Sequence, residues 1–186
     1  MGAAADNSSE ATITIGGSIN VAATLDSNDP YNSASAYLRT LSATAYTNST
    51  ARITIGQDIT VQATVGYMQR ISASASTSSE ALINIGGDVS ITANATDAGT
   101  SGSAYGYAYA TLQGITASAE YDATAVVEID GDVTIEANSD HRADANLYGI
   151  SAYAYDNASA TVTIGGSVTV AASVNGSATN VSNAYA

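Results

Sequence analysis

Few side chains in this 186-residue chain have the types and spacing that catalysis or ligand binding requires. The single histidine, His141, lies in the charged stretch "SDHRADAN". A catalytic base of the hydrolase kind needs a nucleophile to deprotonate and an acid to orient it, and a lone, solvated loop histidine is the plainer reading. Glu128, Asp130, Asp132 and Glu136 crowd one segment in outward-alternating positions. Glycoside hydrolysis uses two carboxylates at a set separation, but the other segments hold no companion cluster. No lysine or nearby arginine is available to stabilise developing charge. The chain is therefore not expected to be an enzyme.

Hard-cation binding has a better basis, because carboxylate and amide oxygens are the ligands calcium takes. Asp58, Asp88 and Asp132 recur at one position of a repeated corner, and Asp26 and Asp29 flank Asn28 in "LDSNDPYN". Stacked like charges repel unless a cation or backbone amides neutralise them. Closure of turns by these aspartates is the simpler expectation, with calcium as the one candidate cofactor and no other metal or organic cofactor expected. Tyrosine supplies all the aromatic rings: Tyr105, Tyr107 and Tyr109 alternate in "AYGYAYA", and Tyr153 and Tyr155 do so in "AYAY". Exposed aromatic stripes stack on sugars or pair across protein contacts, and tyrosine also simply favours strands. Threonine columns broken by Arg52, Leu82, Asn84 and Glu128 match an ice lattice poorly. Sequons at Asn7, Asn48, Asn94, Asn157, Asn175 and Asn180 matter only in a glycosylating producer.

The elements that position these groups are repeats. Ile15, Ile55, Ile85, Ile129 and Ile164 form an anchor column, spaced by 40, 30, 44 and 35 residues. Two residues before each anchor stands Ile or Val, and four before stands Ala. Six residues after come Val21, Val61, Ile91, Ile135 and Val170, then an alanine two further on. Period two on both sides of a corner is the pattern of half-buried strands. The corner carries Gly16, Gly56, Gly86, Gly131 and Gly165, and glycine there is expected to supply positive φ for a sharp bend. Fourteen residues before the anchors lie Leu41, Ile71, Ile115 and Ile150, preceded by Leu38, Met68, Leu112 and Leu147.

Each repeat thus reads as strand, polar turn, strand, glycine corner, strand. The blocks fall at about 1–24, 41–64, 71–94, 115–138 and 150–173, and all length variation sits between them. A β-sandwich also alternates in this way, but its strands are not copies of one another. The pattern predicts an all-β, single-domain parallel β-solenoid over residues 1–186, about five rungs of three short strands with variable loops.

Composition narrows the partners. The chain has no Cys, Trp, Phe or Lys, and its formal charge is −13. A nucleic-acid binder needs a basic footprint, and a lipid-surface anchor needs a polybasic patch, so neither is expected. No apolar stretch is long enough to span a bilayer. "MGAAADNSSEATITIGG" aligns on "ISAYAYDNASATVTIGG", with Met1 in the slot of Ile150, and "VNGSATNVSNAYA" runs toward a further repeat. Uncapped ends are therefore expected, serving either a longer array of the same rungs or head-to-tail polymerisation.

The segments "GDVTIEAN", "GGSVTVAAS" and "LYGISAYAYDNASA" resemble the rungs of bacterial surface and secreted repeat proteins. These include filamentous-haemagglutinin-like adhesins, autotransporter passengers and giant β-strand-repeat proteins. The resemblance covers all five copies and implies an extracellular or cell-surface fibrous, adhesive or matrix role. The leading expectation is a structural subunit stacking end to end. The alternative is an adhesin-type module binding glycan or a host surface through its tyrosine-bearing loops.

Overall fold

The computed structural model describes residues 1–24, 34–95, 107–140, 142–175 and 181–186. Asp26, Asp29, Tyr105 and His141 lie outside the described residues. The described chain is all β: no helix is long and apolar enough to cross a membrane, and every strand pairing is parallel.

The first rung comprises β1 (Gly2–Asp6), β2 (Glu10–Ile15) and β3 (Ile19–Ala22). The second holds β4 (Ser35–Tyr46), β5 (Thr50–Ile55) and β6 (Ile59–Ala63), and the third β7 (Val65–Ser76), β8 (Glu80–Ile85) and β9 (Val89–Ala95). In the fourth rung the long strand divides into β10 (Tyr107–Leu112) and β11 (Ile115–Glu120), followed by β12 (Thr124–Ile129) and β13 (Val133–Ser139). The fifth holds β14 (Arg142–Leu147), β15 (Ile150–Tyr155), β16 (Ser159–Ile164) and β17 (Val168–Val174). Strand β18 (Val181–Tyr185) lies on β14 and opens a further level. The result is a parallel β-solenoid with three sheets. The second sheet runs β2-β5-β8-β12-β16 and the third β3-β6-β9-β13-β17. At about 4.8 Å per level, five rungs rise roughly 20–25 Å.

The alternation read from the sequence is the burial pattern itself. In β8 and β12 the inward residues Ala81, Ile83, Ile85, Ala125, Val127 and Ile129 are fully buried. Their outward neighbours Leu82, Asn84, Val126 and Glu128 are partly exposed. Register is strict: Ile55 lies under Ile85, Ile85 under Ile129 and Ile129 under Ile164. Each inner isoleucine contributes about 1.5–3 kcal/mol by burial. Alanine columns in the first sheet, such as Ala43, Ala73 and Ala117, keep the interior narrow.

Two features differ from the expectation. The first sheet is wider than one short strand. Ahead of its trailing strands β1, 41–46, 71–76, β11 and β15 runs a leading set: 35–38, 65–68, β10, β14 and β18. The end of what reads as variable loop is therefore pleated sheet, with Ala36, Gly66, Ala110 and Ala145 pointing inward. The signal was present, because a small residue stands two positions before each of Leu38, Met68, Leu112 and Leu147.

The second difference concerns the bends. None of the corner glycines has positive φ. Positive φ occurs instead in the polar turn, at Asn7 and Ser8, Thr47 and Asn48, Thr77 and Ser78, Tyr121 and Asp122, and Asp156 and Asn157, all between 50° and 59°. Serines close this turn. Ser49 Oγ donates to the Thr47 carbonyl at 3.2 Å and accepts the Ser9 amide at 3.4 Å, and Ser79 Oγ accepts the Ser49 amide at 3.2 Å.

At three corners the first residue is glycine for close approach, and in the fourth rung Asp130 holds that place. A β-carbon on Gly56 would lie 2.7 Å from the Gly16 carbonyl oxygen, and one on Gly86 2.9 Å from that of Gly56. On Gly165 it would lie 2.4 Å from the Asp130 carbonyl oxygen.

Candidate functional site

Three groups of residues qualify: the aspartate column at the corner, the tyrosine face of the first sheet, and the two ends of the solenoid.

Asp58, Asp88 and Asp132 do stack on successive rungs. Each carboxylate accepts a backbone N–H from the rung above: Asp58 Oδ1 from Asp88 at 2.9 Å, Asp88 Oδ1 from Asp132 at 2.8 Å, and Asp132 Oδ1 from Ser167 at 2.6 Å. The column is a ladder of carboxylate–amide bonds tying rung to rung. Among the described residues no three acidic or histidine side chains converge as a metal centre would require. Glu128 stands elsewhere on the outward face, where Asn84 Nδ2 donates to its Oε2 at 3.1 Å.

Tyr107 and Tyr109 lie side by side on β10, their ring centroids 6.3 Å apart. Arg142, one rung up, sets its guanidinium carbon 6.0 Å and 5.8 Å from those rings. Its Nη2 and Nε reach Asp144 Oδ2 at 2.9 and 3.0 Å. The hydrogen bond to Asp144 and that carboxylate's charge hold the guanidinium pKa above its ordinary value. A shallow, open depression beside this cluster is lined by Tyr109, Arg142, Asp144, Asn146, Tyr148 and Tyr185. Sequence reasoning found the tyrosines but missed Arg142 and Asp144, which come from a strand 35 residues later in register. Tyr153 and Tyr155 are exposed on β15, a trailing strand of the same sheet, and do not join Tyr107 and Tyr109.

Among the described residues, the ends carry unpaired backbone rows. β1, β2 and β3 each pair on one side only, as do β15, β16 and β17. The inward columns open there. Ile13, Ile15, Ile19 and Val21 at one end and Val162, Ile164 and Val170 at the other are only partly buried. Ile150 and Val168 are 41% and 43% exposed, while the inner isoleucines of the same columns are 0%.

Gly16 and Gly17 add a second observation. Gly16 occupies the corner position at which a β-carbon on Gly56, Gly86 or Gly165 would strike the carbonyl of the rung beneath, and Asp130 holds that position in the fourth rung. The counterpart of Gly17 in the second rung is Gln57, and a β-carbon on Gly16 or Gly17 would meet nothing within 4 Å. The end rungs also match. "ATVTIGGS" at 160–167 and "ATITIGGS" at 11–18 agree at seven of eight positions, whereas adjacent rungs within the chain agree at no more than five over the same stretch.

Comparison with protein-family models, with curated proteins and with solved structures finds no match for the chain.

Proposed function

We propose that this chain is a structural protein that stacks end to end through its terminal rungs into a β-solenoid fibre, at an extracellular or cell-surface location. The observation that carries this reading is Gly16, with open space where Gly56, Gly86 and Gly165 meet the carbonyl of the rung below. Glycine costs about 0.5–1 kcal/mol of backbone entropy relative to alanine, and nothing within the described chain requires it at Gly16. A second copy whose β15, β16 and β17 lie beneath β1, β2 and β3 would place the Gly165 carbonyl beneath Gly16. It would also cover the half-buried isoleucines and pair the open backbone rows.

The contact brings no like charges into direct apposition. With Ile164 under Ile15, the residues brought face to face include Thr163 on Thr14, Ser167 on Ser18, Tyr155 on Asp6, Asp156 on Asn7 and Ser159 on Glu10. No two charged residues oppose each other, although the chain carries −13 overall. Such a head-to-tail contact does not close on itself, so it propagates as a filament. The acidic, hydroxyl-rich exterior would limit lateral clumping.

The test is electron microscopy and light scattering of the purified chain beside Gly16→Val. Valine at this corner fits the isolated monomer, because nothing lies within 4 Å. It would strike the carbonyl of an apposed rung. Wild type should form filaments one subunit wide, and Gly16→Val should stay monomeric with an unchanged melting temperature. A wild type that remains monomeric at high concentration would overturn the proposal.

A second reading rests on the Tyr107, Tyr109, Arg142 and Asp144 cluster. Aromatic faces beside a charged, hydrogen-bonding pair are suited to stacking on a sugar ring and holding its hydroxyls. On this view the face binds glycan as an adhesin module does. A glycan array compared with Tyr107→Ala/Tyr109→Ala tests it, and a blank array with the intact chain would count against it.

A further inference from the structure

We infer that the joint between copies is a lap joint, in which β18 of one copy fills the vacant strand position beneath Ser35–Leu38 of the next. The inference rests on the end-to-end stacking proposed above and adds its specific register. The two ends of the first sheet are stepped in complementary ways. At the upper end β18 rises one level above β15, β16 and β17, lying on β14 alone. At the lower end β1 lies beneath residues 42–46 of β4, but no described strand lies beneath residues 35–38. If β1 of one copy sits on β15 of another, the raised strand and the vacancy fall at the same level.

Register and burial agree with this placement. The leading column Tyr37, Tyr67, Thr111, Asn146 and Tyr185 is continuous through the chain. Beneath Tyr37 of a second copy would then come Tyr185. Tyr185 and Tyr37 are 66% and 57% exposed. Tyr37 and Tyr67, adjacent in that column, already pair with ring centroids 6.1 Å apart. The joint extends the pair to a three-ring ladder. Leu38 is only partly buried, although Met68 and Leu112 in its column are fully buried, so the position below it is the uncovered one. Val65 N–H donates to the Ala34 carbonyl at 2.9 Å and Tyr109 N–H to the Thr64 carbonyl at 3.1 Å. Continuing that alternation, Ser35 and Tyr37 N–H groups point down, to the level where the Ser182 and Ala184 carbonyls of β18 would point up. The occupant is therefore a second copy of this chain, because the sheet on both sides of the joint continues the one inside it.

Disulfide trapping tests the inference, since the chain has no cysteine. Neighbouring parallel strands in register bring Cα atoms to about 4.8 Å, within disulfide range. Thr14→Cys/Thr163→Cys reports end-to-end stacking alone, whereas Tyr37→Cys/Tyr185→Cys reports insertion of β18. Tyr37→Cys/Tyr67→Cys, the same column inside one chain, calibrates the geometry and should close within the monomer. All positions lie on the outward face. Oxidation should give covalent ladders on denaturing gels with both intermolecular pairs. A ladder from the 14/163 pair with only monomer from the 37/185 pair, while the 37/67 control closes, would overturn the lap joint and keep the stacking. No ladder from either pair would overturn both.

Discussion

A β-carbon on Gly87 would lie 2.1 Å from Asp58 Oδ1, the oxygen that accepts the Asp88 amide. The same relation recurs upward: Gly131 stands 2.0 Å from Asp88 Oδ1 and Gly166 2.1 Å from Asp132 Oδ1 by the same measure. Where the lower rung has serine, the upper rung tolerates a side chain, as Gln57 does over Ser18, whose hydroxyl bonds to Gln57 Oε1 at 3.2 Å. Aspartate below and glycine above are one unit spread over two rungs.

Gly87→Ala should therefore lower stability by about 1–3 kcal/mol through overpacking. Asp58→Ser should cost about 1 kcal/mol for the lost amide bond. The pair Asp58→Ser/Gly87→Gln, which copies Ser18 and Gln57, should cost less than the sum of Asp58→Ser and Gly87→Gln. Urea denaturation of this double-mutant cycle measures the coupling. Strict additivity would show that the two residues do not act together.

The polar turn holds Thr77 at φ 55° and Thr47 at φ 52°. A β-branched residue in this left-handed region carries strain of about 1–2 kcal/mol. Thr77→Gly should raise stability by up to about 1 kcal/mol, part of the relief being returned as unfolded-chain entropy. The gain corresponds to roughly 2–4 °C in melting temperature. Thermal unfolding followed by circular dichroism checks the sign.

A charge placed inside the solenoid should act differently at its middle and its end. Ile85 is fully buried and Ile15 only partly. Ile85→Asp puts an unpaired carboxylate in the interior and should cost more than about 4 kcal/mol, leaving little folded protein. Ile15→Asp should fold, with a modest loss of stability, and fail to assemble. Circular dichroism together with sedimentation velocity separates the two outcomes.

Copies of charge −13 repel as they approach. Raising ionic strength from about 10 mM to about 150 mM shortens the screening length from roughly 30 Å to roughly 8 Å. Fibre growth should accelerate across that range, read as a shorter light-scattering lag. A lag that lengthens with salt would point to attractive charge pairs at the joint instead.

The sequence by itself determined the strands, their inward faces and the order of the columns. Period two is a local property of the backbone, and a repeated block must present the same side each time. Ile15, Ile55, Ile85, Ile129 and Ile164 could be aligned by counting, and they stack in that order. The sequence showed where the chain bends but misattributed the reason. Whether Gly56 serves φ or close approach depends on what a β-carbon there would meet at 2.7 Å, and that atom belongs to Gly16, 40 residues away. The left-handed turn escaped notice because Thr47, Thr77 and Tyr121 are poor residues for it and are held there by the sheets on either side. Only the tertiary structure decided that Asp58, Asp88 and Asp132 bond to amides of the rung above, that Arg142 joins Tyr107 and Tyr109, and that the first sheet has a leading half. Those facts depend on which residue lies on the next level, a distance set by loops of unequal length rather than by any local pattern.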